Sequence, residues 1–114
     1  MRCLRPYISS SAAQDIRVNA ICPWMTDTAL CSGIEKDWKR ANLPVNTPLD
    51  VGRIMAGVVC QAGLNGKAMY VEGGRGWEIE DNIDRLEPQW LGVEQSETLK
   101  KGQQVLGDGR NWAQ

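Results

Sequence analysis

Two hydroxyls, Thr26 and Thr28, stand three and five positions after Pro23, at the point where an apolar run ends. A threonine hydroxyl both donates and accepts hydrogen bonds, so a rim of this kind suits a polar, amide-like group. Taken alone, both threonines fit better as caps of a short helix that follows. Trp24, inside the same stretch, and Trp38, further along, supply large flat surfaces for an apolar substrate, or for packing of the loop on its own core. Bond-making groups are scarce. Histidine is absent from all 114 residues, which removes imidazole bases, histidine triads and most transition-metal sites together. Tyr7 has Ser11 four positions on and Tyr70 has Gly74, so neither phenol has a lysine one helical turn away to lower its pKa. Cys3, Cys22, Cys31 and Cys60 are spaced by 19, 9 and 29, which fits neither a redox pair nor a zinc site. They read as free thiols of a reducing compartment, with Cys22 and Cys60 expected in buried positions. The sequence assigns no catalytic residue and no metal ligand.

Thirteen cationic and 14 anionic side chains give a net charge of −1, with no basic stripe to neutralise phosphates, so nucleic acid is excluded as an expected partner. No segment approaches the roughly 20 apolar residues of a membrane span, and the start has no signal-peptide core. A cytoplasmic protein without a membrane partner is expected. A hydrophobic share of 42% and the length fit at most one domain with a modest core.

The elements that must hold Pro23, Thr26 and Thr28 can be read in order. Residues 1–13 resemble the end of a helix, with Met1, Leu4 and Ile8 on one face and Pro6 interrupting it. Ile16-Arg-Val-Asn-Ala-Ile-Cys22 reads as a strand covered on both faces, and Pro23 ends it. Mid-strand Asn19 is expected to be an amide satisfied by backbone. Residues 24–46 form a connection long enough for a lid or binding segment, with a short helix near 33–41. Thr47, Pro48 and Asp50 announce a capped helix to about Ala62. Val51, Ile54, Met55, Val58, Val59 and Ala62 make its single apolar stripe, Gly52 and Gly57 imply close packing against a neighbour, and Gly63 acts as the stop. Asn65-Gly66 turns into a second strand, Lys67–Glu72, closed by Gly73-Gly74. Gly73-Gly-Arg-Gly76 reads as a strand-ending turn and not a phosphate cradle, because no capped helix opens there. Strand, capped helix, strand is a βαβ unit with parallel strands. After Gly76 an acidic and polar stretch follows, expected to be mobile, with Trp77, Trp90 and Trp112 as its large apolar anchors.

Ile16-Arg-Val-Asn-Ala-Ile-Cys-Pro23 with Thr28, the helix from 48, and Asn65-Gly-Lys-Ala-Met-Tyr-Val-Glu-Gly-Gly74 together resemble the last two strands of the short-chain dehydrogenase/reductase family. The resemblance covers residues 1–77 and implies an α/β class, as the C-terminal portion of a Rossmann-like, doubly wound parallel sheet; 78–114 would be a polar extension, similar to those of fungal members, some from secondary metabolism. It implies NAD or NADP as cofactor, hydride transfer on a small-molecule alcohol or carbonyl, and contacts from Pro23, Thr26 and Thr28 to the nicotinamide end. Trp24 stands where the family has glycine, and with Trp38 it would border the substrate. The Gly-rich turn and the Tyr-x-x-x-Lys pair of the family are not found here, so the chain is expected to be a truncated form, inactive alone. A homo-oligomer, or docking as a non-catalytic module on a full-length relative, is the alternative expectation.

Overall fold

The computed structural model describes residues 16–107, so the readings made for residues 1–15 and for Trp112 lie outside the described residues. In chain order the elements are β1 (Ala20–Pro23), a 3-10 turn (Ala29–Cys31), α1 (Glu35–Arg40), α2 (Pro48–Cys60), β2 (Ala68–Glu72), β3 (Arg75–Glu78), α3 (Glu80–Arg85), α4 (Glu87–Leu91) and α5 (Val93–Gly107). The fold is α/β, built on one mixed sheet of order β1-β2-β3. β1 and β2 run parallel, from Ala20 opposite Ala68 to Pro23 opposite Val71. The expected βαβ unit is therefore present, with α2 inside the crossover. No helix among the described residues is long and apolar enough to cross a membrane.

β1 is shorter than expected because side chains replace the ladder at its start. The Val18 N–H donates to Asn65 Oδ1 at 3.0 Å, and the Gly66 N–H donates to the Val18 carbonyl at 2.8 Å. Asn19 bridges the same region, donating to the Leu64 carbonyl at 2.9 Å and accepting from the Lys67 N–H at 3.0 Å. As expected, its amide is satisfied by backbone. Arg17 reaches across to the end of α2, donating to the carbonyls of Val59 and Gln61 at 2.7 Å each. Those carbonyls have no partner within a helix, and a cation beside them also complements the negative end of the helix dipole.

α2 begins as its sequence requires. Thr47 Oγ1 accepts from the Asp50 N–H at 3.2 Å, while Asp50 Oδ2 accepts from the Thr47 N–H at 2.9 Å and from the Thr47 hydroxyl at 2.6 Å. The hydroxyl bond first, then the backbone bond, holds the Asp50 carboxyl below its ordinary pKa. A depressed carboxyl stabilises the fold above its unfolded pKa of about 3.9 and loses that effect as pH falls through the lower folded value. Helix content measured by circular dichroism should therefore drop on acidification below about pH 4, and Asp50→Asn should flatten that limb. Thr47→Ala should cost about 1 kcal/mol in urea denaturation.

The apolar stripe of α2 splits instead of being buried as one. Val58 is buried and Val51 and Ile54 are half-buried, but Met55 and Val59 are 51% and 69% exposed. Against the narrow sheet the helix packs where Ile54 approaches Gly76: a Cβ at Gly76 would lie 3.4 Å from Ile54 Cγ2. Gly52 and Gly57 do not follow the expectation of close packing, since nothing lies within 4 Å of a Cβ built on either. Gly52→Ala and Gly57→Ala should each stabilise the chain by about 0.5–1 kcal/mol, read as a higher urea midpoint at unchanged slope. The helix ends at Cys60, with Gln61 as its C-cap, ahead of the glycine expected to stop it.

Among the described residues the buried apolar ones are Met25, Val58, Ala68 and Val71, a core centred on β2. Cys22 and Cys60 are free thiols, but both are exposed, against the expectation of burial. Cys22 alternates with Ile21 along β1 and so lies on the sheet face away from α2, where its neighbour in register is Tyr70.

β3 is the element the sequence reading lacks. Gly73 and Gly74, at φ +54° and +75°, form a two-residue hairpin turn that returns the chain antiparallel to β2, with Glu72 opposite Arg75 and Met69 opposite Glu78. Two successive positive φ angles suit the twist of a hairpin, and glycine adopts them without strain. The stretch beyond is likewise helical through Gly107, where the sequence reading has no element. Glu78 begins it by accepting from the Glu80 N–H at 2.8 Å, and buried Ser96 donates to Glu87 at 2.7 Å, linking α5 to α4. Lys67 pairs with Asp81 at 2.6 Å and joins the start of β2 to α3.

Candidate functional site

The loop from Trp24 to Asn46 leaves the carboxyl end of β1, at the same end of the sheet as the close of β2. In open α/β sheets this end is where ligands bind, because helix N-termini and loops converge there. Pro23 is exposed and sits opposite Val71 at the last step of the ladder. The Trp24 N–H continues it by donating to the Val71 carbonyl at 2.8 Å. A bulky residue at this position does not disturb the loop: the next residue, Met25, is buried and accepts from the Asn46 N–H at 2.8 Å.

Asn46 organises the loop. Fully buried, it donates through Nδ2 to the Val71 carbonyl at 3.0 Å and accepts at Oδ1 from the Gly74 N–H at 2.9 Å. Its backbone closes a short parallel bridge with Thr26, in which the Asp27 N–H donates to the Asn46 carbonyl at 2.9 Å. One residue thus ties together β2 and the hairpin turn through its side chain, and both ends of the loop through its backbone. Sequence reasoning missed it, since an asparagine just before a Thr-Pro cap reads as an ordinary turn residue.

The two threonines follow this bridge. Thr26 is half-buried and donates its hydroxyl to the Trp24 carbonyl at 2.9 Å; Thr28 is exposed and donates to the Thr26 carbonyl at 3.4 Å. Thr28 directly precedes the 3-10 turn, yet its side chain makes no capping bond. Both hydroxyl protons are spent within the loop, so the outward lone pairs are acceptors. An N–H donor, such as that of a carboxamide, is their complement.

Trp24 and Trp38 are brought together, with ring centroids 5.7 Å apart and planes tilted by 58°. Trp38 is fixed by its indole N–H, which donates to the Pro44 carbonyl at 2.8 Å. Pro44 in turn lies against the hairpin turn, where a Cβ on Gly73 would be 3.1 Å from the proline Cβ. Trp24 keeps 51% of its surface exposed. Tyr70 faces Trp77, with centroids 6.1 Å apart, and Gly74, at the position four residues on where a lysine partner would stand, is in the hairpin turn. Partial burial, followed by the Glu72 carboxylate beside it, raises the Tyr70 phenol above its ordinary value. That direction is opposite to what a proton-exchanging tyrosine needs at neutral pH.

A separate cavity of about 380 Å³ opens between β1 and α2, lined by Arg17, Asn19, Ile21, Met55, Val58 and Val59. It holds none of the residues expected at the site. Set beside known proteins, the chain finds no match among family models, curated proteins or solved structures, so the reading of this loop rests on its own geometry.

Proposed function

We propose that this chain is the C-terminal βαβ portion of a short-chain dehydrogenase/reductase-type oxidoreductase, carrying the rim that receives the nicotinamide end of NAD or NADP. The observation that supports this best is the parallel pairing of β1 with β2, with the Pro23–Thr28 loop leaving their carboxyl ends. In this reading the sheet is a fragment of a Rossmann-like doubly wound sheet. Pro23 ends the strand, Thr26 and Thr28 accept from the carboxamide, and Trp24 and Trp38 border an alcohol or carbonyl substrate. The group that exchanges protons with the substrate oxygen comes from elsewhere in the fold, in keeping with a cytoplasmic enzyme whose Tyr-x-x-x-Lys pair is not in this sequence. Purified alone, the chain should give no NAD(P)H oxidation at 340 nm with any carbonyl compound; turnover would contradict this division of roles.

A second reading is favoured by β1, which has β2 on one side and no strand on the other among the described residues. An open edge beside exposed Met55 and Val59 suits docking on an intact relative as a non-catalytic module. Co-purification of a full-length family member with this chain would support it. A cooperative monomer that ignores such a partner would dismiss it.

A further inference from the structure

We propose that Trp24 is a specificity-determining residue, a fixed platform on which a planar aromatic ring of the substrate stacks. The inference rests on the reading above for the word substrate, and it narrows the class from apolar alcohols and carbonyls to those with a flat unsaturated ring system. Its physical basis is the state of the two indoles.

A large aromatic side chain left half in water gives up much of the stabilisation that burial provides. Trp24 does so while its backbone is held on both sides: its N–H donates to Val71, its carbonyl accepts from Thr26, and buried Met25 follows. Trp38, locked to Pro44, packs on it at a tilt of 58° and fixes its orientation. The exposed part of the Trp24 ring is therefore presented with little freedom left to lose, the condition under which a stacking contact yields most affinity. The same backbone carries the Thr26 hydroxyl, so the aromatic surface and the polar rim belong to one rigid loop. Saturated rings gain only area burial from such a surface, whereas a flat ring gains the additional quadrupole interaction of stacked or edge-to-face pairs.

The test uses the whole chain without cofactor. Titration with 2-naphthol and with its ring-saturated counterpart, decahydro-2-naphthol, is followed by the indole N–H signals of the ¹⁵N-labelled protein, which contains five tryptophans. The signals of Trp24 and Trp38 should move with naphthol, those of Trp90 should not, and the aromatic compound should bind about three- to tenfold more tightly. Trp24→Leu should erase that preference and Trp24→Phe should retain most of it. Equal affinities for the two compounds, shifts spread over all the indoles, or a preference indifferent to Trp24→Leu would each overturn the proposal. Should Trp24→Leu fail to fold, the comparison of the two compounds on the unsubstituted chain and on Trp24→Phe decides it. Because no nucleotide is present, a negative result here is distinct from failure of the oxidoreductase reading, which is tested by nicotinamide binding.

Discussion

Asn46→Ala should destabilise the chain by about 2–4 kcal/mol, the largest effect of any single truncation in the loop. The figure follows from what the side chain leaves behind. Removing the amide leaves the part-buried Gly74 N–H without its partner, at about 1–3 kcal/mol, and takes from the Val71 carbonyl one of its two donors, at about 1 kcal/mol more, the Trp24 N–H remaining. Val71 has no exposed surface, so water cannot replace the lost second donor without opening the core. With four buried apolar residues among those described to set against that loss, the variant should show a broadened, low-midpoint urea transition. Asn46→Asp is the informative companion. Oδ1 still accepts from Gly74 while Nδ2 becomes an oxygen facing the Val71 carbonyl, so the cost should persist near neutral pH and ease as the acid protonates. A cost below 0.5 kcal/mol for Asn46→Ala would mean that the loop does not depend on this tie.

Gly73→Val should be the next most damaging change, costing about 2 kcal/mol or more. At φ +54° a β-branched residue is strained wherever it is placed, and its Cβ would meet the Pro44 Cβ at 3.1 Å. Neither partner can yield easily, since one is a hairpin turn and the other a ring. The displacement passes to Trp38 through the Pro44 carbonyl that holds its indole, and from there to Trp24. Loss of stability should thus come with a change in tryptophan emission, whereas Gly63→Val, at a glycine with nothing within 4 Å, should leave emission unaltered. Identical emission in folded Gly73→Val would show that the hairpin and the aromatic pair are independent.

The parts of this fold that could be read in advance are those whose signals are local. Thr47-Pro48 and Asp50 fix the start of α2 within three residues of each other, and the structure has the full capping box there. The order of strand, helix and strand was equally legible, because Ile16–Cys22 and Lys67–Glu72 are apolar runs bounded by turn residues. β3 was not, although Gly73-Gly74 stood in plain view. Arg75-Gly-Trp-Glu has a single large apolar residue, and its strand conformation comes from pairing with β2 and not from any alternation of its own. The misplacement of Cys22, Met55 and Val59 has one cause. Their sequence pattern describes surfaces that can be covered, whereas actual burial depends on what else packs there. The helices after Glu78 were hidden by polar composition; they begin on a carboxylate accepting backbone N–H groups and are joined by a Ser96–Glu87 bond, neither of which periodicity reveals. At the site, Pro23 ends β1 and the other four expected residues lie on the connection that follows, but the Trp24–Trp38 contact spans 14 positions and depends on Asn46 and Pro44, which carry no sequence signal of their own.

The division between rim and catalytic groups gives the account its most direct test. Residues 16–78 would replace the last two strands of an intact short-chain dehydrogenase/reductase, and the chimera would be titrated with NADH, NADPH and ADP-ribose, with Thr28→Val as the comparison. The expected result is that the chimera binds a reduced cofactor more tightly than ADP-ribose, and that Thr28→Val weakens the reduced cofactor about fivefold, the worth of one hydrogen bond, while leaving ADP-ribose unchanged. A folded chimera that binds ADP-ribose and the reduced cofactors equally, with or without Thr28, would contradict the assignment of this loop to the nicotinamide end.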